Sequence, residues 1–293
     1  MFAGAHTALV TPFNDKGMID PDAFRALIDS QFDHGIRGIV PCGTTGESST
    51  LSTEEHHLVI EIAVKQARKR GLVIAGTGSN STREAIDLTQ AAEKAGADAA
   101  LLVTPYYNKP SQEGLYQHYK AIALSTDLPL MLYSIPGRCH IQIDVETCVR
   151  LAESCPNIRA IKEAGGVTER VRQLRAALPP EFEILSGDDA LTVDFMKEGA
   201  VGVVSVAGNL IPGPMAELTK AMLEHRFGEA EALHEKYAPL FTAFLKLDTN
   251  PVPIKAALGL ADLCKPKLRL PMVEMPQEKV EELHAILAGL DLV

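Results

Sequence analysis

The chain has 293 residues and a net charge of −10, with a pI near 5.4, and its Lys and Arg residues form no dense run. This balance argues against a nucleic-acid groove and against an anchor on an anionic membrane. No run approaches the ~20 apolar residues of a transmembrane helix, and the first residues lack a signal-peptide pattern. We therefore expect a cytoplasmic protein.

Eight short apolar runs are candidate β-strands. They cover residues 5–11, 38–41, 72–77, 99–104, 128–134, 158–162, 182–186 and 201–206. Helix formers at helical spacing lie between them and predict helices over 21–32, 53–70, 82–95, 112–125 and 168–177. Serine or threonine N-caps are expected at 52–53, 81–82 and 111, and helix-ending glycines at 35, 71 and 96.

This alternation predicts an α/β protein with a (β/α)8 TIM barrel of about 250 residues. A doubly wound open sheet is the alternative. Beyond residue 226 the pattern changes to helical spacing around Tyr237 and Phe241, then a proline-punctuated stretch and a last helix over 278–290. We expect a catalytic barrel domain at 1–226 and a C-terminal helical domain at 227–293.

Lys162 ends the sixth predicted strand. Strand periodicity would place Ile158, Ala160 and Lys162 on one face. If that face is buried, desolvation lowers the lysine pKa and yields neutral amine for Schiff-base chemistry on a carbonyl. A solvated lysine at a strand end is the simpler alternative.

Side chains at the carboxyl ends of barrel strands line the active face. Reactive residues concentrate there: 43–48 (GTTGES) after the second strand, Tyr106 and Tyr107 after the fourth, Tyr133 and Arg138 at the fifth, Lys162 at the sixth, and Gly187 to Asp189 after the seventh. Each alone also fits a turn, a rim aromatic, a barrel-filling side chain or a surface cation. Together they supply an amine, hydroxyls and an arginine, as a Schiff-base enzyme with a carboxylated substrate requires.

No metal site and no organic cofactor are indicated. His56 and His57 are adjacent in a predicted helix, point in different directions, and are expected at the surface or an interface. Asp188 and Asp189 would repel a phosphate, and we expect them to cap the next helix. The five cysteines are odd in number, without a Cys-x-x-Cys pair, and are expected to be free thiols in a reducing compartment.

The chain resembles the pyruvate-dependent class I aldolases and lyases, and within them the 4-hydroxy-tetrahydrodipicolinate (dihydrodipicolinate) synthases. The matching motifs extend in order along the chain: GTTGES at 43–48, AGTG at 75–78, VTPYYN at 103–108, PSQEGLYQH at 110–118, IKEA at 161–164 and LSGDD at 185–189. The resemblance implies condensation of pyruvate with L-aspartate 4-semialdehyde without metal or cofactor.

The resemblance also implies residue roles. Lys162 would form the imine with pyruvate, and Tyr133 would shuttle protons in a hydroxyl relay with Thr44 and Tyr107. Tyr107 would reach in from a neighbouring subunit, which requires at least a dimer. Members of the family are commonly tetramers, so we expect a homotetramer.

Substrate binding is implied for four further positions. Thr45, Gly187 and the backbone of Val204 would hold pyruvate or the bound intermediate. Arg138 would bind the carboxylate of the semialdehyde, which separates synthases from the sugar-acid lyases of the same superfamily.

Three residues around Arg138 depart from the family pattern Tyr-Asn-x-Pro-x-Arg-Thr-Gly. Ser134, Cys139 and His140 replace its asparagine, threonine and glycine. The departures bear on second-substrate choice and leave the Schiff base unaffected.

Lysine-inhibited family members have a site at a subunit interface. Its counterparts here are Ser48, Ser49, His56, Asn80, Glu84 and Tyr106. Feedback inhibition by lysine is therefore a hypothesis. Two rival functions stay open: a lyase for a 2-keto-3-deoxy sugar acid or N-acetylneuraminate, and a non-catalytic barrel that senses pyruvate or lysine.

Overall fold

Eight parallel strands form the centre of the computed structural model, which describes all 293 residues. The strands are β1 (Gly4–Ala8), β2 (Gly38–Val40), β3 (Leu72–Gly76), β4 (Ala99–Val103), β5 (Leu130–Ser134), β6 (Ile158–Glu163), β7 (Glu183–Ser186) and β8 (Gly202–Ser205). They pair in chain order, and β8 pairs with β1, so the barrel is closed. The predicted (β/α)8 barrel is confirmed, and the open sheet is excluded.

Helices surround the barrel and continue beyond it. They are α1 (Pro21–Asp33), α2 (Thr53–Ala67), α3 (Thr82–Ala95), α4 (Gln112–Ala123), α5 (Pro136–Cys139), α6 (Val145–Ser154), α7 (Thr168–Ala177), α8 (Thr192–Lys197), α9 (Pro212–Leu223), α10 (Phe227–Lys246), α11 (Val252–Leu260) and α12 (Gln277–Gly289). Helix α11 lies inside the stretch read from sequence only as proline-punctuated. None of these helices is both long and apolar enough to span a membrane.

The predicted helix starts are confirmed. Ser52 caps α2 in a reciprocal capping box with Glu55, and Ser81 and Ser111 cap α3 and α4. Gly96 ends α3 in the left-handed conformation. Gly71 does not end a helix: Arg68 is the left-handed cap of α2, and Gly71 precedes β3.

The apolar core has three parts. Eleven buried residues fill the barrel, and clusters of 29 and 38 lie largely between barrel and helices. The largest cluster includes β1 and β2 residues together with Phe241 of α10 and Leu283 of α12. The C-terminal helices thus share a core with the barrel, and the division at residue 226 stays a prediction.

The expectation that Ile158 shares the face of Lys162 is wrong. The register of β5 and β6 shifts so that Leu130 and Met131 pair with Ile158 and Ala160, and the intervening Arg159 is exposed. This register shift resets the alternation of the strand, as an extra residue in one strand does. Ile158 packs outside the barrel, while Ala160 packs inside it.

Candidate active site

A cavity of about 120 Å³, partly open to solvent, lies at the carboxyl ends of the strands. Six residues predicted from sequence line it: Thr44, Thr45, Tyr133, Arg138, Lys162 and Gly187. Phe241, Phe244 and Leu245 of α10 form part of its wall, so the C-terminal region helps to enclose the site.

Lys162 reaches this cavity from the end of β6 and is only 5% exposed. Its pKa is lowered to about 8, mainly by burial and also by the charge of Arg138, while the opposing charges of Asp189 and Asp188 limit the fall. Its Nζ lies 4.3 Å from the ring centroid of Tyr133. The alternative of a solvated lysine is excluded, and a useful fraction of neutral amine is present near neutral pH.

Gly187 provides the space that the lysine stem occupies. A Cβ at this position would lie 2.9 Å from Cε of Lys162 and 2.7 Å from Cβ of Ala164. Any side chain here would displace the lysine, so the glycine of the LSGDD motif is required for the position of the amine.

Tyr133 lies beside the lysine and is 5% exposed. Burial raises the pKa of its hydroxyl, and Arg138 and the Thr44 hydroxyl oppose the rise. The phenol therefore stays protonated and can donate a proton or a hydrogen bond to a substrate on Lys162.

Asn250 was not identified from sequence, yet it joins two predicted binding residues. Its Nδ2 donates to Oγ1 of Thr45 at 3.0 Å, and its carbonyl accepts from Nη2 of Arg138 at 2.9 Å. Local sequence carries no signal for this residue beyond an asparagine before a proline, because its partners lie more than a hundred residues away.

The two aspartates after β7 do different things. Asp188 accepts a hydrogen bond from the Ala190 amide at 2.9 Å and caps the following turn, as predicted. Asp189 instead accepts from the amides of Val206 and Ala207 at 3.0 and 2.8 Å, so the capping prediction is wrong for it. Its carboxylate fixes the loop after β8.

The three departures from the family pattern do not face the cavity. Ser134 and Cys139 are buried outside its lining, and His140 ends α5 at a positive φ of 59°. Tyr133, Ile135 and Arg138 are the motif residues that line the cavity. The substitutions therefore alter the wall behind the site and not its inner surface.

Two predicted residues do not line the cavity. Tyr107 is 91% exposed, and Val204 lies in the apolar interior of the barrel, with Val206 lining the cavity instead. An exposed tyrosine at this rim is available to another subunit, whereas Val204 makes no side-chain contribution to the lining.

The six candidate lysine-site residues lie around α2, α3 and the β4 loop. Asn80 donates from Nδ2 to the Tyr106 carbonyl at 3.1 Å, and the Glu84 carboxylate accepts from Ser79. The surface prediction is wrong for His56, which is 5% exposed and hydrogen-bonded through Nε2 to the Gly76 carbonyl at 2.8 Å. Ser48 is half-buried and Ser49 exposed.

The five cysteines are free thiols, as predicted. No group of three or more His, Cys, Asp or Glu side chains is arranged to hold a metal ion.

The sequence was compared with models of known protein families. The model of the dihydrodipicolinate synthetase family matches residues 1–290. The chain belongs to this family. Its (β/α)8 barrel is therefore the fold of a family member.

Individual members resemble the chain over its full length. The 4-hydroxy-tetrahydrodipicolinate synthase of Thermodesulfovibrio yellowstonii is 50% identical, with 100% of both chains covered. The dihydrodipicolinate synthase of Acinetobacter baumannii, complexed with pyruvate, is 44% identical with a TM-score of 0.97 and covers 100% of both chains. The enzyme from Cyanidioschyzon merolae, with lysine bound, is 40% identical with a TM-score of 0.96, covering 100% of this chain and 99% of that one.

Proposed function

We propose that the chain is a Schiff-base lyase, a 4-hydroxy-tetrahydrodipicolinate synthase. It would condense pyruvate with L-aspartate 4-semialdehyde in the first committed step of diaminopimelate and lysine biosynthesis. The observation that carries the proposal is the buried Lys162, whose pKa of about 8 is suited to nucleophilic attack on a ketone. Relatives named 4-hydroxy-tetrahydrodipicolinate synthase, which match this chain over its whole length, support the choice of substrates.

The first half-reaction takes place on Lys162. Its neutral Nζ attacks the keto carbon of pyruvate, and the ketone oxygen leaves as water, which gives a protonated imine. Loss of a methyl proton then gives an enamine. Tyr133 is the group placed to carry protons here, since its hydroxyl is protonated and its ring lies beside the amine. Thr44 and a neighbouring subunit's Tyr107 would complete the relay.

The second half-reaction joins the two substrates. The enamine carbon attacks the aldehyde carbon, and the oxygen of the aldehyde takes up a proton as a new bond forms. The amine of the semialdehyde then attacks the imine carbon and displaces Lys162, which closes the ring without release of a second water. Thr45, Gly187 and the backbone at Val204 are the proposed pyruvate contacts, and Arg138 the proposed partner of the semialdehyde carboxylate.

Borohydride trapping tests the first half. Reduction in the presence of pyruvate is expected to place the adduct on Lys162, detected by mass spectrometry of the digested protein. Lys162→Met should give none. Wild-type protein without an adduct would favour a non-catalytic sensor.

A coupled assay tests the second substrate. Arg138→Met should raise the KM for aspartate semialdehyde by about tenfold or more, the range expected when a charged hydrogen bond is lost. Pyruvate trapping on Lys162 should persist, with its pH profile shifted to higher pH because Arg138 lowers the pKa of the lysine. Turnover of a sugar acid in place of the semialdehyde would reject the proposed substrate in favour of the lyase reading.

We further propose feedback inhibition by lysine at a site formed by Ser48, Ser49, His56, Asn80, Glu84 and Tyr106. The lysine-bound relative supports this proposal. Glu84 is exposed in the single chain and offers a carboxylate for an ammonium group. Titration with lysine is expected to inhibit the wild type, and Glu84→Gln more weakly. Absence of inhibition at millimolar lysine would reject the site.

The assembly is proposed to be a homotetramer, and at least a dimer. Exposed Tyr106 and Tyr107 at one rim support an interface there, because tyrosine is enriched at such surfaces. Five free thiols suit a reducing compartment, which supports the cytoplasm as the location. Sedimentation velocity measures the number of subunits in the assembly. Fractionation of the source cells measures the location of the protein.

A further inference from the structure

A buried ion pair outside the cavity joins the GTTGES loop to helix α11. Lys255 of α11 is 0% exposed, and Glu47 of the loop is 3% exposed. The same loop carries Thr44 and Thr45, which line the cavity. The pair thus connects the C-terminal region to the proposed pyruvate contacts.

Both oxygens of the Glu47 carboxylate are engaged. Nζ of Lys255 contacts Oε1, and the amide of Arg269 donates to Oε2 at 3.1 Å. The same ammonium donates to the Lys267 carbonyl at 2.8 Å and lies 4.1 Å from the ring centroid of Phe13. The carboxylate therefore has a defined direction, fixed from two points of the C-terminal region.

The conformation of the loop depends on Glu47. Its φ of 54° is left-handed, a region that residues other than glycine adopt mainly where their surroundings hold them. Its amide donates to the Thr44 carbonyl at 3.1 Å, which closes the turn around Thr45 and Gly46. On the cavity side, Asn250 holds the Thr45 hydroxyl at 3.0 Å. The turn is thus tied at Thr45 and at Glu47.

Stability alone does not account for this pair. Desolvation of two charges offsets their attraction, and a well-packed apolar pair of similar volume is often as stable. Burial lowers the pKa of Lys255, and the charge of Glu47 opposes this shift. What the ion pair supplies beyond an apolar contact is orientation, because a carboxylate with two donors has one preferred placement.

We infer that Lys255 and Glu47 are positioning residues, which hold the Thr44–Thr45 turn in the geometry that binds pyruvate. The inference rests on the proposed function and concerns the first half-reaction alone. Loosening the turn should weaken pyruvate binding and imine formation, while the Arg138 side of the cavity keeps its affinity for the semialdehyde.

The test compares Lys255→Met with the double variant Lys255→Met/Glu47→Gln. The single variant leaves a buried carboxylate without its counter-ion and should lower the Tm, whereas the double variant removes both charges and should recover most of it. In both, the pyruvate concentration for half-maximal borohydride trapping on Lys162 should rise about tenfold, a loss typical of misplaced binding groups. The KM for aspartate semialdehyde should change less than about twofold in either variant.

Lys279→Met is the matched control. Lys279 also belongs to the C-terminal region and pairs with Asp248 at 3.2 Å, but it is partly exposed and does not touch the loop. Its trapping curve should match the wild type.

Recovery of both Tm and wild-type pyruvate dependence in the double variant would overturn the inference and leave a purely structural role. A lowered Tm with an unchanged trapping curve in Lys255→Met would do the same. If Lys255→Met does not fold, the double variant alone decides. A wild type that gives no adduct rejects the proposed function and the inference with it, whereas a wild-type adduct with unaffected variants rejects only the inference.

Discussion

At the residue scale, the environment of Lys162 combines burial with nearby charges of both signs. Burial and Arg138 favour the neutral amine, while Asp188 and Asp189 favour the ammonium form. The balance leaves the pKa at about 8, so the nucleophilic fraction rises as pH rises through this value. The initial rate of borohydride trapping at fixed pyruvate should follow that titration.

Replacement of one acid should move this titration. Asp188→Asn removes a negative charge and keeps a side-chain oxygen for the cap, so the lysine pKa should fall and the trapping profile should shift to lower pH. Asp194→Asn, at an exposed acid on α8, is the control and should leave the profile in place. An unchanged midpoint in Asp188→Asn would contradict the assigned electrostatics.

Gly187 offers a steric prediction at the same scale. Gly187→Ala places a methyl group 2.9 Å from Cε of Lys162, so the lysine must move. We expect imine formation to slow by roughly a hundredfold, as for other misplaced reacting groups. Gly228→Ala, where nothing lies within 4 Å of the new Cβ, should keep full activity and serves as the control. Equal trapping rates in the two variants would show that the cavity tolerates the methyl.

At the element scale, the end of β6 is held from outside the barrel. Glu163 follows Lys162, points away from the cavity, and is 0% exposed. It accepts from Nε of Arg170 on α7 at 3.3 Å and from the Gly165 amide at 2.7 Å, while its own carbonyl accepts from the Gly187 amide at 2.8 Å. These contacts fix the strand end from which the Lys162 amine projects.

Arg170→Met should therefore destabilise the fold. It leaves a buried carboxylate without its counter-ion, and we expect a loss of roughly 3–5 kcal/mol in urea unfolding. Burial already raises the pKa of Glu163, and Arg170 opposes that rise. Without the arginine the folded-state pKa climbs further above the unfolded value, so the folded state takes up a proton more readily. The loss should thus be smaller near pH 5 than near pH 8.

Arg170→Met/Glu163→Gln supplies the control for this experiment. It removes the unpaired charge and should recover part of the stability at the higher pH. A single variant whose loss is independent of pH would indicate that Arg170 acts by packing alone.

At the scale of the whole molecule, one proposed catalytic residue is missing from the single-chain cavity. Tyr107 is 91% exposed and does not line the site, although the proposed relay requires its hydroxyl. In a symmetric assembly the tyrosine of one subunit can complete the site of its neighbour.

Hybrid assemblies test this arrangement. Tyr107→Phe and Lys162→Met are each expected to be nearly inactive, but their mixture pairs an intact lysine with an intact tyrosine. After unfolding and refolding together, random pairing should restore roughly a quarter of the wild-type activity. No recovery would mean that Tyr107 serves its own chain or none.

The eight strands, the capped helices and most of the cavity could be predicted from the sequence, because alternation and the position of residues at strand ends are local properties. Strand-end position or the family motifs identified six residues that line the cavity: Lys162, Tyr133, Thr44, Thr45, Arg138 and Gly187. Three features were not predicted: the register shift at Arg159, the burial of His56 and the hydrogen bonds from the loop after β8 to Asp189.

These features depend on contacts across the fold, as do the hydrogen bond of Asn250 to Thr45 and the ion pair of Lys255 with Glu47. Each pair joins residues about two hundred positions apart, and no local pattern encodes a contact made across the fold. The desolvation that sets the pKa of Lys162 has the same origin, because it depends on the elements that close around the amine and not on its neighbours in the strand.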